Sequence, residues 1–124
     1  MRFTCKEKNM STRNNLGEFE EIVMLTIGVL GDNAYGLAIK TEIEERLNRN
    51  VSMGALHTGL YRLEEKGYLI SRLGEATKIR GGKPKRYFQV TASGQKVLRE
   101  VMESRQSLWK DIPEGVFDLF PGKQ

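Results

Sequence analysis

The sequence predicts a mostly α-helical fold that carries one small antiparallel β hairpin. Three observations predict this fold class. Apolar residues recur with a helical period up to Gly67, two short runs of aromatic and branched residues follow, and a last amphipathic segment begins after Thr91. At 124 residues the chain is expected to form one small domain, near the size at which a partner subunit often adds stability.

Basic charge is concentrated in one part of the chain. The whole sequence has a net charge of +4 and a pI of about 9.3, whereas the segment from Ser71 to Val90 holds six basic residues and one acidic residue. This balance favours an anionic partner. Hydrophobic residues make up 39% of the chain and charged residues 29%, a composition that excludes wholesale disorder.

The composition argues against a disulfide, a metal site and a membrane segment. Cys5 and His57 are the one cysteine and the one histidine, which gives neither an internal disulfide nor the ligand spacing of a zinc site. The apolar run from Ile22 to Leu30 is too short to span a bilayer and follows acidic residues. We expect a cytoplasmic protein without a cofactor or a membrane partner.

Two helices are expected before the centre of the chain. Residues 1–15 are polar and lack a period, so they are expected to form a flexible N-terminal arm. A first helix is predicted from Glu18 to Leu30, with its apolar face formed by Phe19, Ile22, Val23, Ile27 and Leu30. A second helix is predicted after it, capped by Asp32 or Asn33, in which Ile39, Ile43 and Leu47 recur every four residues.

The central helix is predicted between the N-cap Ser52 and the stop at Gly67. Leu56, Leu60 and Leu63 form its narrow apolar stripe, while the opposite side is polar. Two glycines inside it weaken the helix and therefore indicate close approach of another group: a neighbouring helix at Gly59 and a phosphate at Gly54. The short link from the second helix predicts a helix-turn-helix unit.

Beyond Gly67, two strands joined by a basic loop are predicted to form a wing. The runs Tyr68–Ile70 and Tyr87–Val90 supply the strands, and the loop between them contains RGGKPKR. Thr91 is predicted to cap a helix from Ala92 to about Lys110, and the residues after it form a tail that either docks or is disordered. The apolar stripe of this helix predicts a dimer interface formed by Val97, Leu98, Val101, Met102, Leu108 and Trp109.

Three helices followed by a basic wing make a winged helix-turn-helix, an arrangement used to bind duplex DNA. A helix of this size fits the major groove, and its outward residues reach base edges. The predicted recognition-helix contacts are Ser52, Met53, Gly54, Ala55, His57, Thr58, Tyr61 and Arg62. The predicted wing contacts, which would neutralise phosphates, are Lys78, Arg80, Gly81, Gly82, Lys83, Lys85 and Arg86.

Several stretches in order resemble the PadR-type transcriptional regulators: LGEFEEIVMLTIGVLGDNAYGLAI, VSMGALHTGLYRLEEKGYL and RGGKPKRYFQVTASG. The resemblance implies a winged-helix repressor that dimerises through its C-terminal helix and, in many members, responds to a small aromatic or drug-like molecule. His57 departs from a more usual Tyr and Gly59 from a more usual Thr. The expected organisation is an arm at 1–15, a DNA-binding domain at 16–91, a dimerisation helix at 92–110 and a tail at 111–124.

Alternatives remain open for single residues and for the whole chain. His57 is either a base or phosphate contact or an ordinary polar helix residue, and Trp109 either stacks on a planar ligand or is interface core. No phosphate loop and no nucleophile with a neighbouring base is present in the sequence, so an enzyme is not expected. The alternatives to a homodimeric regulator of a pseudo-palindromic operator are a winged-helix protein interaction module and a small-molecule carrier.

Overall fold

The computed structural model describes residues 16–74 and 84–118. Its elements are α1 (Glu18–Leu30), α2 (Gly36–Leu47), α3 (Met53–Glu65), β1 (Leu69–Leu73), β2 (Arg86–Val90) and α4 (Ala92–Lys110), with single 3-10 turns at Gly31–Asn33 and Val116–Asp118. The predicted fold class is confirmed: the described part is mostly helical, with one two-stranded antiparallel sheet and a C-terminal helix.

Helix α1 begins where the backbone N–H of Gly17 donates to Glu20 Oε1 at 3.0 Å. Carboxylates in a first turn also interact favourably with the helix dipole. Val23, Met24 and Ile27 form the buried side of α1. Met24 was not part of the predicted apolar face, although it is one of the largest fully buried side chains.

The start of α2 differs from the prediction. Asp32 and Asn33 form a 3-10 turn, and α2 begins later with Tyr35 as an N-cap that makes no side-chain hydrogen bond. The cause is that the chain at this point pairs with the sheet. Phe88 N donates to Ala34 O at 2.9 Å, and Tyr35 forms an isolated antiparallel bridge with Tyr87.

Both predicted ends of α3 are confirmed. Ser52 Oγ accepts a hydrogen bond from Ala55 N at 3.0 Å, which satisfies one of the free N–H groups of the first turn. At the other end Gly67 has a φ of +83°, its N–H donates to Glu64 O, and Tyr68 N donates to Leu63 O. These paired bonds form a Schellman motif, which requires a residue with positive φ.

The sheet and α4 complete the fold. Strands β1 and β2 pair from Leu69 opposite Val90 to Leu73 opposite Arg86. Thr91 caps α4 as predicted, its Oγ1 accepting from Gly94 N at 3.0 Å. The core lies where α1, α2, α3 and the base of the sheet meet, and its side chains that are less than 2% exposed include Val23, Met24, Ile39, Ile43, Leu56 and Leu63. In the part of the chain that the structure describes, no helix is long and apolar enough to cross a membrane.

Candidate nucleic-acid interface

Helix α3 buries one side and exposes the other. Leu56, Leu60 and Leu63 are at most 2% exposed, so the polar side is turned outward. Most of the predicted recognition residues are exposed there: Ser52, Gly54, Ala55, His57, Thr58, Tyr61 and Arg62. No described element of the chain covers this face.

Met53 is the exception among the predicted recognition residues. Its side chain is half-buried and packs against the core. Its Cε lies 3.4 Å from the position that a Cβ would occupy on Gly36, so Met53 fills the contact between α2 and α3. Met53 therefore has a packing role between the two helices, and its predicted contact with DNA stays a prediction.

The two glycines of α3 have different surroundings. A Cβ on Gly59 would lie 3.6 Å from the ring of Phe19, an ordinary contact, which agrees with the predicted crossing of a neighbouring helix. Gly54 is exposed, and a Cβ there would meet nothing within 4 Å. Close packing within the chain therefore does not account for Gly54, and the predicted approach of a phosphate stays a prediction.

Tyr61 projects from the outer face of α3 and is 62% exposed. Its hydroxyl is hydrogen-bonded to Glu65, one turn further along, and this bond together with the negative charge of Glu65 raises the pKa of Tyr61. The phenol is therefore protonated at neutral pH and can donate a hydrogen bond.

A groove of about 400 Å³ separates α3 from strand β2. Its walls combine aromatic, acidic and basic side chains, among them Tyr35, His57, Tyr61, Glu64, Lys85 and Arg86. Lys85 and Arg86, two of the predicted wing residues, therefore lie across this groove from α3. The remaining wing residues, Lys78, Arg80, Gly81, Gly82 and Lys83, lie outside the described residues.

Cations and aromatic rings alternate along the base of the wing. Lys85 Nζ lies 4.2 Å from the centroid of the Tyr35 ring, the Tyr35 and Tyr87 rings meet edge to face at 5.7 Å, and the Arg72 guanidinium lies 4.9 Å from the Tyr87 ring. Such contacts hold a cation at an exposed site without neutralising its charge. The sequence analysis assigned no DNA contact to Tyr35, Arg72 or Tyr87; the available signal for Tyr35 was its place between Ala34 and Gly36 in a stretch that resembles the PadR-type regulators.

Arg86 is tied to α3 by a chain of two hydrogen bonds. Its Nη1 donates to Ser71 Oγ at 3.0 Å, and Ser71 Oγ donates to Glu64 Oε2 at 2.7 Å. The bonds cross from β2 to β1 and then to the last turn of α3. They connect the base of the two strands to α3.

The predicted dimer-interface residues divide along α4. Val97 is only 9% exposed and belongs to the protomer's own core, so it offers little surface to a partner, and its place in a dimer interface stays a prediction. Leu98 and Val101 are partly buried against that core, and Met102 is half-buried. Leu108 and Trp109 are 73% and 66% exposed. The Trp109 ring lies 6.4 Å from that of Phe117 in the following segment.

Comparison with known proteins gives one family. The family model described as "Transcriptional regulator PadR-like family" matches residues 26–100. The chain is 27% identical to a PadR-like transcription factor from Bacteroides fragilis, with a TM-score of 0.64 over 82% of this chain and 93% of that one. It is 25% identical to a PadR family transcriptional regulator from Eggerthella lenta, with a TM-score of 0.58 over 86% of each chain.

A PadR family transcription regulator from Clostridium difficile shares the fold at 22% identity, with a TM-score of 0.60 over 74% of this chain and 92% of that one. No curated protein matches the sequence. Among the described residues, no cluster of three or more His, Cys, Asp and Glu side chains could hold a metal ion.

Proposed function

We propose a detailed function from one premise: this chain belongs to the PadR-like family of transcriptional regulators. It is a DNA-binding regulator rather than an enzyme. The finer proposal is a homodimeric repressor that binds a pseudo-palindromic operator in duplex DNA, with half-sites one helical turn, about 34 Å, apart. Within it, residues 16–91 bind DNA, residues 92–110 dimerise and residues 111–124 form a tail.

The observation that carries the proposal is the outer face of α3 beside the cations of the wing. Thr58, Tyr61 and Arg62 are exposed on that face, and Lys85 and Arg86 line the groove next to it. In the major groove, Arg62 pairs with a guanine edge or a phosphate, and the hydroxyl of Thr58 donates to a base or to the backbone. Tyr61 makes the same kind of contact by moving its one hydroxyl hydrogen from Glu65 to the DNA. Lys85 and Arg86, with the loop cations Lys78, Arg80 and Lys83, neutralise phosphates.

Two kinds of substitution separate these roles. Lys85→Gln removes one phosphate contact, so it weakens binding to every duplex by a similar factor and lowers the slope of log affinity against log salt by about 0.9. Thr58→Ala and Arg62→Gln instead change the preference among sequences, by about 1–3 kcal/mol at the contacted base pair. The readout is selection from random duplex DNA, followed by salt titration of the selected sequence.

Lys96→Gln is the matched control. Lys96 is exposed on α4 and pairs with Glu100 on the same helix, so its loss changes the net charge by the same amount away from the interface. If the wild-type protein showed no salt-dependent binding to any duplex, a protein interaction module would replace the proposed function.

We also propose that a planar aromatic ligand releases the repressor by stacking on Trp109. Support comes from the exposure of this ring and from Phe117 beside it. Trp109 is the one tryptophan in the chain, so its fluorescence reports the ligand directly. We expect the ligand to quench Trp109 fluorescence over the same concentration range in which it releases operator DNA from the protein. Quenching without release of DNA would contradict the proposed control of DNA binding.

A further inference from the structure

Helix α4 is attached at its start to the end of the recognition helix. The Gly67 carbonyl oxygen, just beyond α3, accepts from Thr91 Oγ1 at 2.7 Å and from Ser93 Oγ at 3.1 Å. A Cβ on Gly94 would clash with Tyr68 O and would lie 2.9 Å from Val90 Cγ1. Only glycine permits this approach. The first turn of α4 is therefore pinned against the chain that leaves α3.

A second attachment lies further along α4. Arg105 Nη2 donates to Glu21 Oε2 of α1 at 3.0 Å, and the Glu21 side chain is only 7% exposed. From Glu103 to Lys110 every residue of α4 is exposed, so this ion pair holds a segment that has little other burial. Gly94 and Arg105 are about 16 Å apart along the helix axis. Two attachments at that separation fix the direction of a rigid helix.

Helix α1 is in turn attached to the end of α3. Glu20, adjacent to Glu21, accepts from Lys66 Nζ at 2.9 Å, and Lys66 is the C-cap of α3. The contacts thus close a triangle: the end of α3 to the start of α4, the middle of α4 to α1, and α1 back to the end of α3. Of its three sides, the Glu21–Arg105 pair is the one that lies beyond the packed residues Val97, Leu98 and Val101, where it can restrict the outer half of α4.

We propose that Glu21 and Arg105 are positioning residues that set which spacing of half-sites the dimer accepts. The proposal rests on the proposed function, in which the exposed end of α4 carries the dimer contact. The size of the movement that a small tilt of α4 produces supports the proposal. Trp109 lies about 22 Å along the helix from Gly94, so a tilt of about 10° moves it by about 4 Å, comparable to the rise of one base pair. A variant in which the tilt of α4 is less restricted should therefore accept a wider range of half-site spacings.

The first test measures affinity for a series of operators with identical half-sites and spacers changed by one or two base pairs. The wild type is expected to lose roughly tenfold or more for a change of one base pair, since wrong geometry prevents both protomers from binding at once. In Glu21→Gln, which removes the charge without leaving a buried carboxylate, this difference shrinks to about threefold or less. Half-site sequence preference stays unchanged.

Two further variants separate positioning from general damage. Arg105→Lys keeps a cation for Glu21 and retains the wild-type spacing preference. Lys96→Gln breaks the exposed ion pair with Glu100 on the same helix. This variant is also expected to keep the wild-type spacing preference. A well-folded Glu21→Gln protein that discriminates between spacers as sharply as the wild type overturns the inference.

A second measurement needs no DNA. With Cys5 replaced by serine, spin labels on Thr58→Cys and Ser107→Cys report the distance from α3 to the end of α4 within one protomer, when labelled chains are diluted with unlabelled ones. The distance distribution is expected to be about twofold broader in Glu21→Gln than in the wild type or Lys96→Gln. An equal width overturns the inference, whereas wild-type protein that fails to bind duplex DNA overturns the proposed function.

Discussion

Helices α3 and α4 are both amphipathic, but the chain covers their apolar sides to different extents. The stripe of α3 is buried along its length: Leu56, Leu60 and Leu63 are at most 2% exposed. The stripe of α4 is buried only near its start, at Val97, while Leu108 and Trp109 remain more than 60% exposed. Because the protomer covers the apolar side of α3, the opposite, polar side of that helix is available to a ligand. The exposed side of α4 is the surface that the proposed dimer contact would cover.

The largest expected effect is on the covered stripe. Leu56→Ala removes a side chain with no exposed surface and leaves a cavity between α3 and the helices behind it, so the free energy of unfolding should fall by about 3 kcal/mol. Urea denaturation followed by circular dichroism measures it. A loss below about 1 kcal/mol would mean that the apolar side of α3 is less well packed than the structure shows.

A substitution in the exposed stripe of α4 should affect dimerisation rather than folding. Leu108→Ala changes a side chain that is 73% exposed. The helical content of the protomer should therefore stay the same, while the dissociation constant of the proposed homodimer rises about tenfold. Sedimentation equilibrium gives that constant, and circular dichroism gives the helical content. An unchanged dissociation constant would assign the dimer contact to another surface.

Gly54→Ala tests the free side of α3. Because a Cβ there meets nothing within 4 Å, alanine should stabilise the helix by about 0.5 kcal/mol. If a phosphate approaches this backbone, operator affinity should nevertheless fall by about threefold. Thermal denaturation and operator titration of the same preparation show whether the two effects have opposite signs; higher affinity together with higher stability would exclude the phosphate contact.

The smallest effect concerns the turn that leads into α3. Glu44 accepts hydrogen bonds from Val51 N at 2.9 Å and from Lys40 Nζ at 3.0 Å. Both bonds lower the pKa of Glu44 below its ordinary value, and the bond from Val51 has the larger effect. A depressed carboxyl pKa contributes stability at neutral pH, which is lost as the pH falls through the folded-state pKa.

Glu44→Gln should therefore unfold at slightly lower urea than the wild type at pH 7, and the difference should shrink at pH 3. Denaturation curves of the two proteins at both pH values provide the comparison. A difference of the same size at both would show that the charge of Glu44 does not contribute.

Local signals were sufficient to predict most of the fold. Ser52 and Gly67 mark the ends of α3 because a hydroxyl cap and a positive φ are properties of single residues. Thr91 marks the start of α4 in the same way. The exposed face of α3 followed from the spacing of three leucines. Where a neighbouring strand competed with a local signal, as at Asp32 and Asn33, the prediction was wrong.

Contacts between distant residues could not be predicted. Glu20 and Glu21 lie in the first turn of α1. The sequence gives no sign that they are buried, because their partners Lys66 and Arg105 lie 46 and 84 residues away. Which arginine of α4 reaches α1 depends on the tilt of α4, and a single sequence contains no record of that tilt. The same holds for the path from Arg86 through Ser71 to Glu64.

The separation of Glu21 and Arg105 has a consequence for the order of folding. Bringing together residues 84 positions apart costs more chain entropy than forming the local contacts of α1, α2 and α3. During synthesis Glu21 also leaves the ribosome long before its partner Arg105 has been added to the chain. We therefore expect its carboxylate to stay hydrated while the helix-turn-helix assembles, and the outer half of α4 to close last and open first. Hydrogen exchange would register this opening as the earliest loss of protection.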